Sequence, residues 1–103
     1  GFDGIAVESY LSPKAATSPE LDVETVGSEY SQVLPQIKQA AQMLELGEAQ
    51  EVAVQAENLV TVMRLLNDEY FVALALAPHG NVGKGRYLLR MQAGKLLETL
   101  NQP

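Results

Sequence analysis

Residues 70–77 (Tyr-Phe-Val-Ala-Leu-Ala-Leu-Ala) place the tightest constraint on the fold, because they carry no charge and are apolar on both sides. In an extended strand, successive side chains point to opposite faces of the sheet. A strand that is apolar on both sides is typical of a sheet whose two faces are covered. Ala73, Ala75 and Ala77 share one face, where a helix could approach closely. The stretch therefore predicts a strand inside a sheet that has layers on both faces.

Two more strands are predicted just before this one. Residues 50–56 alternate in polarity, and residues 59–66 are mostly apolar. The connections at residues 57–58 (Glu-Asn) and 67–68 (Asn-Asp) are short and contain Asn, which tolerates left-handed backbone geometry. Such tight connections predict a three-stranded antiparallel meander. The wetter face of its first strand consists of Glu51, Ala53 and Gln55.

Residues 22–46 are predicted to form one long helix that begins at Asp22 as N-cap and stops before Gly47. Pro35 lies on its polar side and should bend the helix, because it removes one backbone donor. The alternative is a break into two shorter helices. Leu34 and Ala41 widen the apolar stripe, which suits a helix that packs on a sheet. The stripe recurs in steps of three and four and consists of Val23, Val26, Tyr30, Val33, Ile37, Ala40 and Leu44.

The opposite side of this helix is polar but poor in charge. Between Ser28 and Gln42 only Glu29 and Lys38 are charged. Solvated helix faces are usually rich in Lys and Glu, whereas the centres of protein interfaces are depleted in them. The pattern indicates contact with another surface. The residues that we assign to it are Ser28, Gln32, Gln36, Gln39, Gln42 and Met43.

The two ends of the chain complete the expected domain. Residues 82–100 are predicted to form a last helix, with a buried stripe of Leu89, Ala93, Leu96, Leu97 and Leu100. Residues 5–10 alternate weakly and follow an Asp-Gly turn, and residues 12–21 are predicted to form an exposed loop. A turn needs a strand before it. We therefore expect that the native protein has further residues before Gly1.

Composition narrows the function. The chain has 103 residues, a length that predicts a single domain. Because 47% of its residues are hydrophobic and 19% are charged, the composition predicts a soluble globular protein. No signal peptide, membrane span or cysteine is found. The net charge of -6 argues against nucleic-acid binding. Residues 78–103 are the exception, with four basic side chains and one acidic. They are interpreted as a basic solvated face of the last helix or as charges that neutralise the acidic body, and the alternative is a partner or lipid surface.

No motif supports catalysis, a cofactor or a metal. Residues 79–86 (His-Gly-Asn-Val-Gly-Lys-Gly-Arg) are glycine-rich and lie between a strand and a helix, as a phosphate-binding loop does. The motif of such a loop is not matched, because Pro78 stands at the position of its first glycine and Gly85 at the position of its Ser or Thr. A flexible connection is the expected role. His79 is the only histidine, so a zinc site has too few ligands, and no nucleophile is placed beside it.

The order of elements resembles the roadblock / dynein light chain domain family, and within it the bacterial MglB-type regulators of Ras-like GTPases. The resemblance covers nearly the whole chain and rests on spacing rather than on one specific motif. The residues that carry it are Phe2-Asp3-Gly4, Ile5-Ala6-Val7-Glu8, the helix from Asp22, the strands at 52–56, 59–65 and 70–76, and Asn81-Val82-Gly83-Lys84-Gly85-Arg86.

The resemblance implies an α/β fold, profilin-like, with a β-meander between a long helix and a C-terminal helix. The family's first helix and first strand are absent from this chain. The resemblance also implies a homodimer that forms through the long helix and the first meander strand. The assigned residues of the helix and Glu51, Ala53 and Gln55 suit such an interface, because a self-complementary patch should be polar yet low in charge.

Two functions are implied. The first is a non-catalytic, cytoplasmic regulator that binds a small Ras-like GTPase and modulates its nucleotide cycle. The alternative is a homodimeric adaptor that tethers signalling or motor-type complexes without affecting a GTPase.

Overall fold

The computed structural model describes residues 23–101, in which six elements follow one another. They are α1 (Val23–Ser31), α2 (Leu34–Met43), β1 (Glu51–Gln55), β2 (Val60–Leu65), β3 (Phe71–Leu76) and α3 (Val82–Leu100). The predicted strand at residues 5–10, the loop at 12–21 and the Asp22 cap lie outside the described residues. No described helix is both long enough and apolar enough to cross a membrane.

The predicted meander is confirmed. The three strands pair antiparallel in the order β1-β2-β3, and each is one residue shorter at either end than the sequence predicted. The β2–β3 turn is closed by Asn67, whose Oδ1 accepts hydrogen bonds from the backbone N–H groups of Glu69 and Tyr70 at 2.8 and 2.9 Å. This Asx turn is the reason why Asn suits the position.

Both faces of β3 are covered, as its sequence predicted. All six of its residues are buried. On one face, Val72, Leu74 and Leu76 pack with Leu89 and Ala93 of α3. On the other face, residues of the α1–α2 layer complete two clusters; one contains Leu34, Met63, Phe71 and Ala73, and the other contains Leu59, Ala75 and Ala77. The fold is therefore a mixed α/β sandwich with the sheet as its middle layer.

The prediction of one continuous helix over residues 22–46 is wrong, and the alternative of two helices is correct. α1 ends at Ser31, and α2 starts at Leu34 with Pro35 in its first turn. Proline has no N–H to donate and its ring would clash with the carbonyl of residue 31, so the chain turns before it. Val33 N donates to the carbonyl of Tyr30 at 3.0 Å across this turn.

The break changes which residues are buried. Leu34, expected at the margin of the stripe, is fully buried, whereas Val33 and Leu44 are exposed. Ala40 is exposed as well, while Ile37 and Ala41 are half-buried. A turn between the helices rotates α2 relative to α1, so a stripe that assumes one unbroken 3.6-residue period is displaced beyond the break.

The C-terminal end of α2 also differs from the prediction. The helix ends at Met43 rather than at residue 46, and the left-handed residue that closes it is Glu45 with φ of 57°, not Gly47. Leu46 N donates to the carbonyl of Ala41 at 2.9 Å, and Glu45 N to that of Gln42 at 3.0 Å. These two bonds form a Schellman motif.

The last helix has the predicted bounds. Asn81 caps it by accepting a hydrogen bond from Lys84 N at 2.9 Å on its Oδ1. Leu89 and Ala93 are buried and Leu96 and Leu97 are half-buried, as expected. Leu100 is exposed, because it lies in the final turn of the helix.

Candidate functional site

The outer face of the α1–α2 layer is uncovered in the described part of the chain. We call it the glutamine surface, and every one of its residues is exposed. It consists of the helix residues that the sequence analysis assigns to an interface, Ser28, Gln32, Gln36, Gln39, Gln42 and Met43. Gln36, Gln39 and Met43 follow one another along one side of α2, opposite the buried Leu34. Val33, Leu44 and Leu46 add exposed apolar side chains at the two ends of α2.

The glutamine surface carries less charge than its sequence indicates, because Lys38 turns away from it. The Lys38 side chain is 14% exposed, and its Nζ donates to Oδ1 of Asp68 in the β2–β3 turn. This hydrogen bond, and then the charge of the ammonium, hold the pKa of Asp68 below its ordinary value of 3.8. Among residues 28–43, Glu29 is thus the only charged residue that is exposed.

The structure does not bring the three predicted β1 residues onto the glutamine surface. Ala53 lies opposite Val62 and Gln55 opposite Val60, and both valines belong to the core cluster under α3. Because side chains alternate along a strand, Glu51, Ala53 and Gln55 share the α3 face of the sheet. The predicted interface is therefore two surfaces on opposite faces of the sheet. β1 is an edge strand of the described sheet.

Glu51 is not a free surface group. Its side chain is 9% exposed and lies among three arginines. Arg86 donates to Oε2 from Nε at 2.9 Å and also from Nη2. Arg64 Nη1 and Arg90 Nε each lie 3.7 Å from Oε1. Glu51 thus connects β1 to α3 electrostatically, while Ala53 and Gln55 beside it are exposed.

The cluster of Glu51 and the three arginines was not predicted from the sequence, although the sequence contains two signs of it. Arg86 and Arg90 are four residues apart and so share one side of α3. Arg64 is the one charged residue in the predicted strand at residues 59–66. Only the register, in which Glu51 is the partner of Arg64, shows that these groups meet.

The glycine-rich segment before α3 has a packing role. A Cβ at Gly85 would lie 2.8 Å from Leu76 Cδ1 and 2.9 Å from Leu74 Cδ2, so the absent side chain lets α3 approach β3 closely. Gly80 N donates to the carbonyl of Ala77 at 2.9 Å and closes the turn. His79 is exposed. Within residues 23–101 no group of three or more His, Cys, Asp or Glu is placed to hold a metal ion.

The chain is similar to a solved structure, the crystal structure of MglC from Myxococcus xanthus, with 45% sequence identity. The match covers 80% of this chain and 68% of that chain, with a TM-score of 0.49. No family model and no curated protein matches the chain. MglC is a roadblock-domain protein. The sequence identity, which extends over most of both chains, is what assigns the family: the protein belongs to the roadblock-domain family.

Proposed function

We propose that the protein is a non-catalytic regulator that forms a homodimer and binds a small Ras-like GTPase, with the glutamine surface as its docking platform. The observation that carries the proposal is the near absence of charge on that surface, since Lys38 is withdrawn to Asp68. Exposed amide and apolar side chains with little charge are the composition of an interface centre.

The second support is the sequence similarity to MglC, a roadblock-domain protein. In the proposed arrangement, the two copies of α1 and α2 lie beside each other around a twofold axis. The paired helices then form a larger surface for the GTPase. MglB-type regulation, in which the protein alters nucleotide turnover without supplying a reacting group, is the finer form of this proposal. Such a partner would place its action in the cytoplasm.

The dimer is tested by adding charge to the glutamine surface. The double variant Gln36→Glu/Gln39→Glu places like charges near each other across the proposed twofold axis, which should weaken association. Each exposed like-charge contact is worth up to about 1 kcal/mol, so we expect a dissociation constant raised roughly tenfold. Sedimentation velocity over a concentration series measures it.

The matched control is Asn58→Asp/Asn101→Asp, which adds the same charge at exposed positions away from the glutamine surface. It should sediment like the wild type. Equal weakening in both variants would indicate a general effect of net charge. An unchanged profile for the glutamine variant would show that the dimer does not form through this surface.

The GTPase partner is tested with the Ras-like GTPase from the same genome, loaded with GDP or with a GTP analogue. Co-elution in at least one nucleotide state, lost in the Gln36→Glu/Gln39→Glu variant, is the expected result. Hydrolysis rates with and without the protein then measure any effect on turnover. A stable dimer that binds the GTPase in neither state would favour the adaptor function instead.

A further inference from the structure

A second surface, open in the part of the chain that the structure describes, lies on the α3 face of the sheet and is positively charged. Arg64, Arg86 and Arg90 converge on a single carboxylate, that of Glu51. One carboxylate neutralises one guanidinium, so the cluster keeps an excess of two positive charges. The rest of the chain is acidic, with twelve acidic and four basic side chains outside the cluster. This excess is therefore a local exception on an acidic protein.

The arginines retain donors that Glu51 does not use. Arg64 Nη1 and Arg90 Nε stand 3.7 Å from Glu51 Oε1, which is beyond hydrogen-bond distance. Oε1 itself is buried without a hydrogen bond. A guanidinium carries five N–H donors, and the side chains of Arg64, Arg86 and Arg90 remain 27%, 44% and 54% exposed. The cluster can thus accept a further anionic group from outside.

An open shelf lies next to these donors. Among the described elements α3 packs mainly on β2 and β3, so beyond its arginine contacts with Glu51 the β1 side of this face is not covered by any part of residues 23–101. Ala53 and Gln55 are exposed there. One turn beyond Arg90, a Cβ at Gly94 would have nothing within 4 Å, so the helix is open at this point as well. We name this surface the arginine shelf, and it consists of Ala53, Gln55, Arg64, Arg86 and Arg90.

We propose that the arginine shelf binds a carboxylate-bearing segment of a partner protein. Arg pairs with carboxylates through two parallel hydrogen bonds, and the N–H donors of Arg64 and Arg90 that make no hydrogen bond to Glu51 suit that geometry. A protein segment fits better than an anionic membrane for two reasons. An extended anionic membrane would face the acidic body of the protein as well as the shelf, and the net charge of -6 opposes that approach, whereas a short segment contacts the shelf alone. The floor of the shelf, Ala53 and Gln55, also lacks the large apolar side chains that insert into lipid.

The arginine shelf and the glutamine surface lie on opposite faces of the sheet, so the two proposals can be tested separately. The probe is a fluorescein-labelled octaglutamate peptide, and fluorescence anisotropy with the full chain measures its affinity. Arg90→Gln removes a guanidinium that makes no hydrogen bond to Glu51 and keeps the Arg86–Glu51 pair. It should weaken binding roughly two- to fivefold, the usual effect of one exposed ion pair.

Lys95→Gln is the matched control, because it removes the same charge from α3 about 140° around the helix from Arg90. It should bind like the wild type. Arg64→Gln, on β2, is a second variant and should weaken binding as Arg90→Gln does. Circular dichroism checks that both variants fold, and if one of them folds poorly the other provides the test. Amide shifts of Ala53 and Gln55 in NMR spectra should accompany binding to the wild type.

Three results would overturn the proposal. Equal losses in Arg90→Gln and Lys95→Gln would show a diffuse attraction to the whole of α3. Absence of saturable octaglutamate binding would show that the shelf holds no carboxylate segment. Arginine-dependent binding to phosphatidylserine vesicles, without binding to octaglutamate, would identify a membrane as the occupant.

Discussion

Replacing Glu51 by Gln removes the carboxylate that faces three guanidiniums while keeping the size of the side chain. Hydrogen bonds to a charged group contribute about 1.5–3 kcal/mol each when well formed. Arg86 makes both hydrogen bonds to Glu51 but is 44% exposed, so solvent screens the interaction and the lower end applies. We expect Glu51→Gln to lower the free energy of unfolding by about 1.5 kcal/mol. For a domain of this size, that corresponds to a melting temperature lowered by about 6–12 °C.

Urea unfolding followed by circular dichroism measures this change as a lower midpoint at constant m-value. The control is Glu57→Gln in the exposed β1–β2 turn, which should stay within about 0.5 kcal/mol of the wild type. The difference between Glu51→Gln and the wild type should also shrink in 1 M salt, because the arginines are partly exposed and therefore screened.

Equal stability of Glu51→Gln and Glu57→Gln would contradict a stabilising role of the Glu51 carboxylate. In that case the free-energy cost of desolvating the Glu51 carboxylate would equal the stabilisation from its interactions with the arginines. A more stable Glu51→Gln variant would refute it more strongly, since three unpaired guanidiniums would then be better tolerated than a partnered carboxylate.

Four further results are expected. Gly94→Ala should raise the free energy of unfolding by about 0.5–1 kcal/mol, since the position is open and Ala is the better helix former. Gly85→Ala should lower the free energy of unfolding by about 1 kcal/mol, because its methyl group would overpack the contact with β3. Chemical denaturation measures both changes. Thr61→Val should raise the free energy of unfolding by about 1 kcal/mol, because the buried Thr61 hydroxyl has no hydrogen-bond partner, and the same assay measures it. The Asp68 carboxyl should titrate below 3.8 in NMR spectra and return towards 3.8 in Lys38→Met.

The sign of the Asp68 effect follows from its lowered pKa. A carboxyl whose pKa is lower in the folded state adds stability above its ordinary value of 3.8 and loses it as the pH falls through the folded-state value. Acid unfolding of Lys38→Met should therefore lack this contribution. An Asp68 titration unchanged by Lys38→Met would contradict the hydrogen bond, and stabilisation by Gly85→Ala would contradict the close approach of α3 to β3.

The sequence was sufficient wherever a single element determines the outcome. The period of two in β1, the apolar β3 and the Asn-containing turns predicted the meander to within one residue, because strand alternation and turn geometry are local properties. The bounds of α3 were predicted for the same reason. The exposed glutamine surface also followed from spacing within α1 and α2.

Relations between elements needed the tertiary structure. Pro35 predicted that the helix would be bent or interrupted. Which of the two occurs depends on packing, and here the break lets Leu34 fill the core. The wetter face of β1 looked like part of the glutamine surface, yet it lies on the other side of the sheet. Glu51 meets Arg64 through strand register, and Arg86 through the docking of α3. Register and docking join residues distant in sequence, so no local pattern encodes them; periodicity determined the elements of this roadblock-domain protein, and packing decided which charges meet.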